Sequence, residues 1–241
     1  MRAPLALLLL TSALPALAQT GPSFDCAKAS SAVEKAICAD AKLGALDRRI
    51  AAAYAEALKR LDPKATKALR DDQRSFQATL AYGLEWDEGK PQDKRVFDLA
   101  DTMKDRAEFL GAIDAAPAGR WAGTWSNHFG GIDIETKGDG FSVSANGAKP
   151  VTGNWVCQIE GTAKVEGDRL VLAGSEDGKP DGWTYALTRD GDRIVFSQAG
   201  PKGERHGSPT CGLNGSMEGD YFFLAKPVPE GGGAIAPQRN R

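Results

Sequence analysis

The spacing of apolar residues changes once along this chain, and that change constrains the fold more than any other feature. From Cys26 to about Ile113 apolar side chains recur at intervals of three and four, the mark of amphipathic helices. After Ala115-Ala116-Pro117-Ala118-Gly119 they recur at every second residue, as in strands with one buried face. A stripe with a helical period cannot be buried by a strand, nor the reverse. The chain is therefore α+β, with a small helical bundle first and an antiparallel β-barrel or sandwich second.

Capping residues sharpen the helical part. Ser31-Ala32-Val33-Glu34 reads as a capping box that opens one helix. A second starts near Asp40 and places Leu43, Leu46, Ile50, Tyr54, Leu58 and Leu61 on one stripe. Asp62-Pro63 opens a third, because Pro is well placed at the first helical position; Leu69, Phe76 and Leu80 form part of its apolar face. Glu88-Gly89-Lys90-Pro91 breaks the run, and a fourth helix follows with Val96, Leu99, Met103, Leu110 and Ile113 on one side. Antiparallel packing through short loops is the simplest way to bury such stripes.

In the second part apolar residues sit two apart at Trp121–Trp125, Ile132–Ile134, Phe141–Val143 and Leu170–Leu172. The turns Gly138-Asp139-Gly140, Gly167-Asp168, Asp177-Gly178 and Asp190-Gly191-Asp192 punctuate them. Cys211-Gly212-Leu213-Asn214-Gly215 and Glu218-Gly219-Asp220-Tyr221 read as a final hairpin. Trp121, Trp125, Trp155 and Trp183 either fill the core or line a ligand cavity; in a small barrel filling is the commoner use.

The ends are set apart. Residues 1–18 combine Arg2, the short apolar run Leu5-Ala6-Leu7-Leu8-Leu9-Leu10 and the small-residue close Ala16-Leu17-Ala18, the form of a secretory signal peptide. That run is shorter than the ~20 residues a spanning helix needs. The expected location is periplasmic or secreted, and the expected domains are 24–114 (helical) and 119–226 (β). Residues 227–241, with Gly231-Gly232-Gly233 and little to bury, read as a disordered tail.

Four cysteines in an exported chain read as disulfides. They divide two and two between the parts, which favours Cys26–Cys38 and Cys157–Cys211 among the three possible pairings. No CxxC and no neighbouring His suggests a metal site, so neither metal nor cofactor is expected. Charge argues against polyelectrolyte partners: residues 19–116 carry 16 basic and 17 acidic side chains, and residues 117–241 carry 13 and 15. No nucleic-acid partner is expected, and nothing in the sequence specifies an oligomeric state.

Catalytic residues are not expected either. Gly-x-Ser-x-Gly, Ser-x-x-Lys and Cys–His arrangements are absent. Asp71 and Asp72 diverge by about 100° on a helix and read as solvated surface rather than a pair flanking one bond. One polar loop stands out, Pro201-Lys202-Gly203-Glu204-Arg205-His206-Gly207-Ser208-Pro209, bounded by prolines and anchored by Cys211. Lys202, Arg205 and His206 there are weak candidate contacts for carboxylates of a partner protein, although an ordinary hairpin loop explains the same residues.

The helical part also resembles a known family. Phe24-Asp25-Cys26, Val33-Glu34-Lys35-Ala36-Ile37-Cys38, Leu43, Leu46-Asp47 and Ile50 to Tyr54 resemble the N-terminal domain of LprI-type lysozyme inhibitors. Gln73-Arg74-Ser75-Phe76 sits where that family has Gln-Arg and then an aromatic, and Leu99, Arg106 and Leu110 can be laid on its closing helix. The resemblance runs over about residues 24–113. The family commonly has a second cysteine pair around its last two helices, whereas no Cys lies between Cys38 and Cys157 here. For the β part only the Gly-x-Trp form at Gly119-Arg120-Trp121 and Gly123-Thr124-Trp125 is suggestive, of lipocalin-like barrels.

The resemblance implies an exported, non-enzymatic envelope binding protein that occludes the cleft of a lysozyme or another envelope protein. Two other readings are a carrier or sensor of a small apolar ligand in the β part, and an envelope enzyme whose site is assembled from distant residues.

Overall fold

A computed structural model describes residues 21–176, 179–205 and 207–226. The signal-peptide segment 1–18, the tail 227–241 and His206 lie outside the described residues. Among those described, four α-helices precede eight strands: α1 Ala32–Ala39, α2 Ala41–Arg60, α3 Pro63–Trp86 and α4 Leu99–Ala112, then β1 Gly123–Ser126, β2 Gly130–Lys137, β3 Gly140–Ala148, β4 Val156–Glu166, β5 Arg169–Glu176, β6 Lys179–Asp190, β7 Arg193–Ala199 and β8 Gly219–Leu224. No helix among them is long and apolar enough to cross a membrane.

The expected caps all form. Ser31 Oγ accepts from Glu34 N while the Glu34 side chain accepts from Ser31 N, closing the capping box. The backbone amides of Ser31 and Ser30 hold the Glu34 carboxyl at about 2, far below its ordinary value. Asp40 caps α2, and Asp62 caps α3 with Pro63 in its first turn. The fourth helix starts later than its apolar pattern suggests. Asp98 caps it, and Val96 lies outside it in an extended strap with its side chain exposed.

Barrel and sandwich are distinguished by one pairing. Each strand pairs antiparallel with the next, and β8 returns to β1 through Trp125 opposite Phe223, closing the sheet into an eight-stranded barrel. Its interior is packed with side chains, including Trp125, Ile132, Ile134, Tyr185, Leu187, Phe196 and Tyr221. Trp183 is buried in the same core, and Trp121 and Trp155 pack against it from partly exposed positions. All four tryptophans thus belong to this core or pack against it. The final hairpin expected at Cys211–Tyr221 does not form. Cys211 instead bridges to Cys157 on β4, to which it is disulfide-bonded, and β8 pairs with β7 and β1.

The helices lie against the outer face of the barrel at β8. Tyr221 and Phe223 fill the barrel, while the alternate residues Phe222 and Leu224 join the helical core with Phe109, Leu110 and Ile113. The backbone continues the join, since Asp114 N donates to Phe223 O at 3.1 Å and Ala225 N donates to Ala112 O at 2.9 Å.

A second join holds the start of α3 to the β6–β7 turn. Asp62 N donates to Asp192 Oδ2 at 2.8 Å, and Asp192 N donates to Asp62 Oδ2 at 2.6 Å. Lys64 Nζ adds an ion pair to Asp190 at 2.7 Å. Burial pushes the Asp62 carboxyl up, but the amides of Ala65, Asp192 and Lys64 outweigh it and hold the carboxyl below its ordinary value. Between the two aspartates Gly191 has φ +65°, and a Cβ there would collide with the Asp62 carboxylate. Gly138 has φ +61° with nothing near its missing Cβ, so it isolates the backbone cost. Gly138→Ala should lose about 1–2 kcal/mol of stability, and Gly191→Ala about 1 kcal/mol more because the cap of α3 is displaced as well. Urea denaturation of both variants checks this, and equal losses would show that the Asp62–Asp192 contact carries nothing.

Candidate functional site

α3 positions the polar residues that matter. Turns β6–β7 and β1–β2 lie at opposite ends of an up-and-down barrel, and α3 touches the first through Asp62 and the second through Asp72. The helix therefore runs alongside the barrel, and its last fourteen residues carry it a further ~20 Å in the same direction. The β7–β8 loop with Lys202 and Arg205 belongs to that same end of the barrel.

At the middle of α3 lies a buried network. Arg106 of α4 donates from Nη1 to Asp72 Oδ2 at 2.6 Å, and from Nε and Nη2 to Gln73 Oε1 at 2.9 and 2.7 Å. Its guanidinium also lies 5.0 Å from the centre of the Phe76 ring and 4.9 Å from that of Phe109. The other Asp72 oxygen meets His128 in the β1–β2 turn, at 3.1 Å from its backbone N and 2.8 Å from Nδ1. Asn127 shapes that turn, its Oδ1 accepting from Phe129 N and Gly130 N. Asp72 is thus buried rather than solvated, which corrects the surface reading for Asp72, while Asp71 stays at the surface.

Burial pushes the Asp72 carboxyl up, but Arg106 and then His128 outweigh it and hold it at about 2. An ionised carboxylate only accepts, so the proton of a neutral His128 ring sits on Nδ1 and leaves Nε2 as the free nitrogen. The pair has the form of an oriented imidazole, yet no nucleophilic hydroxyl or thiol hydrogen-bonds to His128 among the described residues. Its evident work is to lock α3, α4 and the barrel together.

A groove lies at the far end of α3. Asp87 follows the helix, and its carboxylate accepts from Val96 N at 2.8 Å, Phe97 N at 2.7 Å and Lys90 Nζ at 3.2 Å. Burial raises its pKa, but the Phe97 amide, Lys90 and the Val96 amide prevail and keep it below the ordinary value. These bonds fold the 96–97 strap back onto α3, where the Phe97 ring lies so close to Gly83 that a Cβ would come within 2.5 Å of it. The space left between α1, α3 and the strap is about 470 Å³, with Ala32, Ala81, Leu84 and Phe97 as apolar walls and Glu85, Asp87, Glu88 and Arg95 supplying charge. Tyr82 and Trp86, exposed with ring centres 5.9 Å apart, stand on α3 outside this lining.

Of the loop residues named from the sequence, Lys202 and Arg205 do not converge on this groove or on the network. Lys202 is exposed, and Arg205 pairs with Glu218 at 2.8 Å while its backbone O accepts from Gln198 Nε2. Of the four cysteines, Cys26 and Cys38 tie the chain before α1 to its last turn, and Cys157 and Cys211 tie β4 to the segment before β8. Sequence reasoning missed Asp72, Arg106 and His128 as partners, and the groove. Gly83 inside a helix was the available signal for the groove, since such a glycine marks a close approach.

The class this defines is a disulfide-stapled helical layer packed on a closed antiparallel barrel. Residues 26–80 match the family described as lysozyme inhibitor LprI. The match takes in the first disulfide, α1, α2 and most of α3, and stops before α4 and the barrel. No curated protein and no solved structure matches the chain.

Proposed function

We propose that this is an exported, non-enzymatic envelope protein that binds a lysozyme and inhibits it by occluding its cleft. The observation that carries the reading is the match of residues 26–80 to a lysozyme-inhibitor family. Two disulfides suit an oxidising compartment, and periplasm or secretion is the location we assign. The end of the molecule that bears the α3 groove and the 201–209 loop is the contact surface we assign. Lys202 and Arg205 are the residues we assign there to charge-assisted contact with catalytic carboxylates, Arg205 by exchanging its pair with Glu218.

The test is inhibition of chicken-type and goose-type lysozymes by the oxidised mature chain, with binding followed in parallel by calorimetry. Saturable loss of lytic activity at stoichiometric protein is the expected result. Undiminished lysis together with no binding overturns the reading.

A further inference from the structure

The barrel end that carries the 201–209 loop also carries a surface without charge. Neither 150–159 nor 207–217 contains a charged residue, in a chain of which 26% is charged. The fold lays these two segments side by side. Cys157 and Cys211 face each other and are disulfide-bonded, Gln158 N donates to Thr210 O at 2.9 Å, and Gly212 N donates to Val156 O at 2.9 Å. On this base Gly212-Leu213-Asn214-Gly215 forms a turn, closed by Gly215 N donating to Gly212 O at 2.8 Å, with Asn214 at φ +61°. Leu213 at its tip is 85% exposed, the highest value for a large apolar side chain among the described residues. Val156, bonded to Gly212, is 48% exposed. The adjoining β3–β4 turn holds Val151 at φ +71°, a conformation that β-branched residues avoid. A single exposed leucine is ordinary. One carried on a disulfide-based turn, inside a charge-free surface, has the composition and the rigidity of an interface core.

We infer that the 212–215 turn, with Leu213 as its anchor, is the element that enters the sugar-binding cleft of the partner. The partner is chosen by charge. A cleft built for neutral ligands is lined mainly by apolar and aromatic side chains with a few polar groups. An ionised side chain pushed into it loses water without gaining a partner. Leu213 brings no such cost, and the Asn214 amide offers a donor and an acceptor to groups that otherwise bind sugar hydroxyls. Lys202 and Arg205 come earlier in the same β7–β8 connection, outside the charge-free stretch, which leaves them for the catalytic carboxylates. That the cleft is a lysozyme's rests on the function proposed above, whereas the uncharged character of the tip rests on residues 150–159 and 207–217 themselves.

The test titrates chicken-type lysozyme into the oxidised mature chain and into Leu213→Ala, Leu213→Asp and Val165→Asp. The last places the same charge on an exposed valine at the opposite end of the barrel. Both positions are exposed, so all variants should keep the urea midpoint of the parent. Binding should weaken about tenfold in Leu213→Ala and about a hundredfold in Leu213→Asp, and stay unchanged in Val165→Asp. A neutral chitin oligosaccharide in excess should compete with the parent for lysozyme. If Leu213→Asp binds as tightly as the parent, or the sugar does not compete, the tip is overturned while lysozyme binding stands. If the parent binds no lysozyme, the proposed function falls and the inference falls with it. Sedimentation of the parent with peptidoglycan, lost in Leu213→Asp, would in that case make the patch a glycan surface rather than a protein anchor.

Discussion

Arg106→Ala should lose about 3–5 kcal/mol of stability, because it removes one partner of a buried ion pair and leaves the other in place. Both side chains are almost fully buried, 2% exposed for Arg106 and 6% for Asp72. Removing the guanidinium leaves Asp72 with only His128 against its charge, and leaves Gln73 Oε1 without its donor. The loss also opens space between Phe76 and Phe109, which the guanidinium now spans. Replacing both charged groups together, as Asp72→Leu/Arg106→Met, should cost less than either Asp72→Leu or Arg106→Met alone, since no charge is then stranded. Urea denaturation of the three variants tests this; single losses that simply add in the double variant would mean that the pair is not coupled.

The same network fixes a pH dependence. Asp72 titrates at about 2 in the folded protein, below the ~3.9 of an unfolded aspartate. A depressed carboxylate gives stability that is complete above the unfolded value and disappears as pH falls through the folded one. The contribution of Asp72 should thus be intact at pH 5 and fade between about pH 4 and pH 2. In Arg106→Ala its strongest favourable partner is gone and its folded pKa rises, so the variant, less stable at pH 5, should lose less further stability between pH 5 and pH 2 than the parent does. An equal loss of stability over that pH range in the two proteins would count against Arg106 as the group that holds Asp72 ionised.

Local chemistry made much of this fold legible. Ser31, Asp40 and Asp62 cap their helices because a short polar side chain before an apolar stripe has one favourable use there. The strands follow from alternation and Asp-Gly turns, which act over a few residues. Closure is different. The β1–β8 pairing joins Trp125 to Phe223, and no neighbour of either residue announces it. The site has the same character. Asp72 meets Arg106 across 34 residues and His128 across 56, so a carboxylate that looks like helix surface becomes a buried anchor only once three elements converge. Val96 misled for a local reason: its apolar side chain fits the helical spacing, but Asp87 holds its backbone amide in the strap instead. The loop at Lys202 and Arg205 was visible as polar sequence, whereas the groove needed Phe97 to fold over Gly83.

Phe222→Ala should cost about 3–5 kcal/mol, the range for emptying a buried aromatic site. Tyr221-Phe222-Phe223-Leu224 is a continuous apolar run rather than an alternating one, and such a strand is buried on both faces. Inward, Tyr221 and Phe223 pack the barrel; outward, Phe222 meets Phe109 edge-on with ring centres 6.4 Å apart. Truncating Phe222 therefore leaves β8 paired to β1 and β7 but removes the largest barrel side chain in the helical core. Val165→Ala supplies the comparison, being an exposed residue of β4 at 54%, and should cost under about 1 kcal/mol. Because Phe222 belongs to the helical core and its strand to the barrel, its loss should weaken both together. Helix content by circular dichroism and the burial of Trp125 and Trp183 by fluorescence should then report one shared transition, moved to lower urea. If the helical signal alone shifts and the tryptophan signal stays at the parent midpoint, the two parts unfold separately and β8 does not couple them.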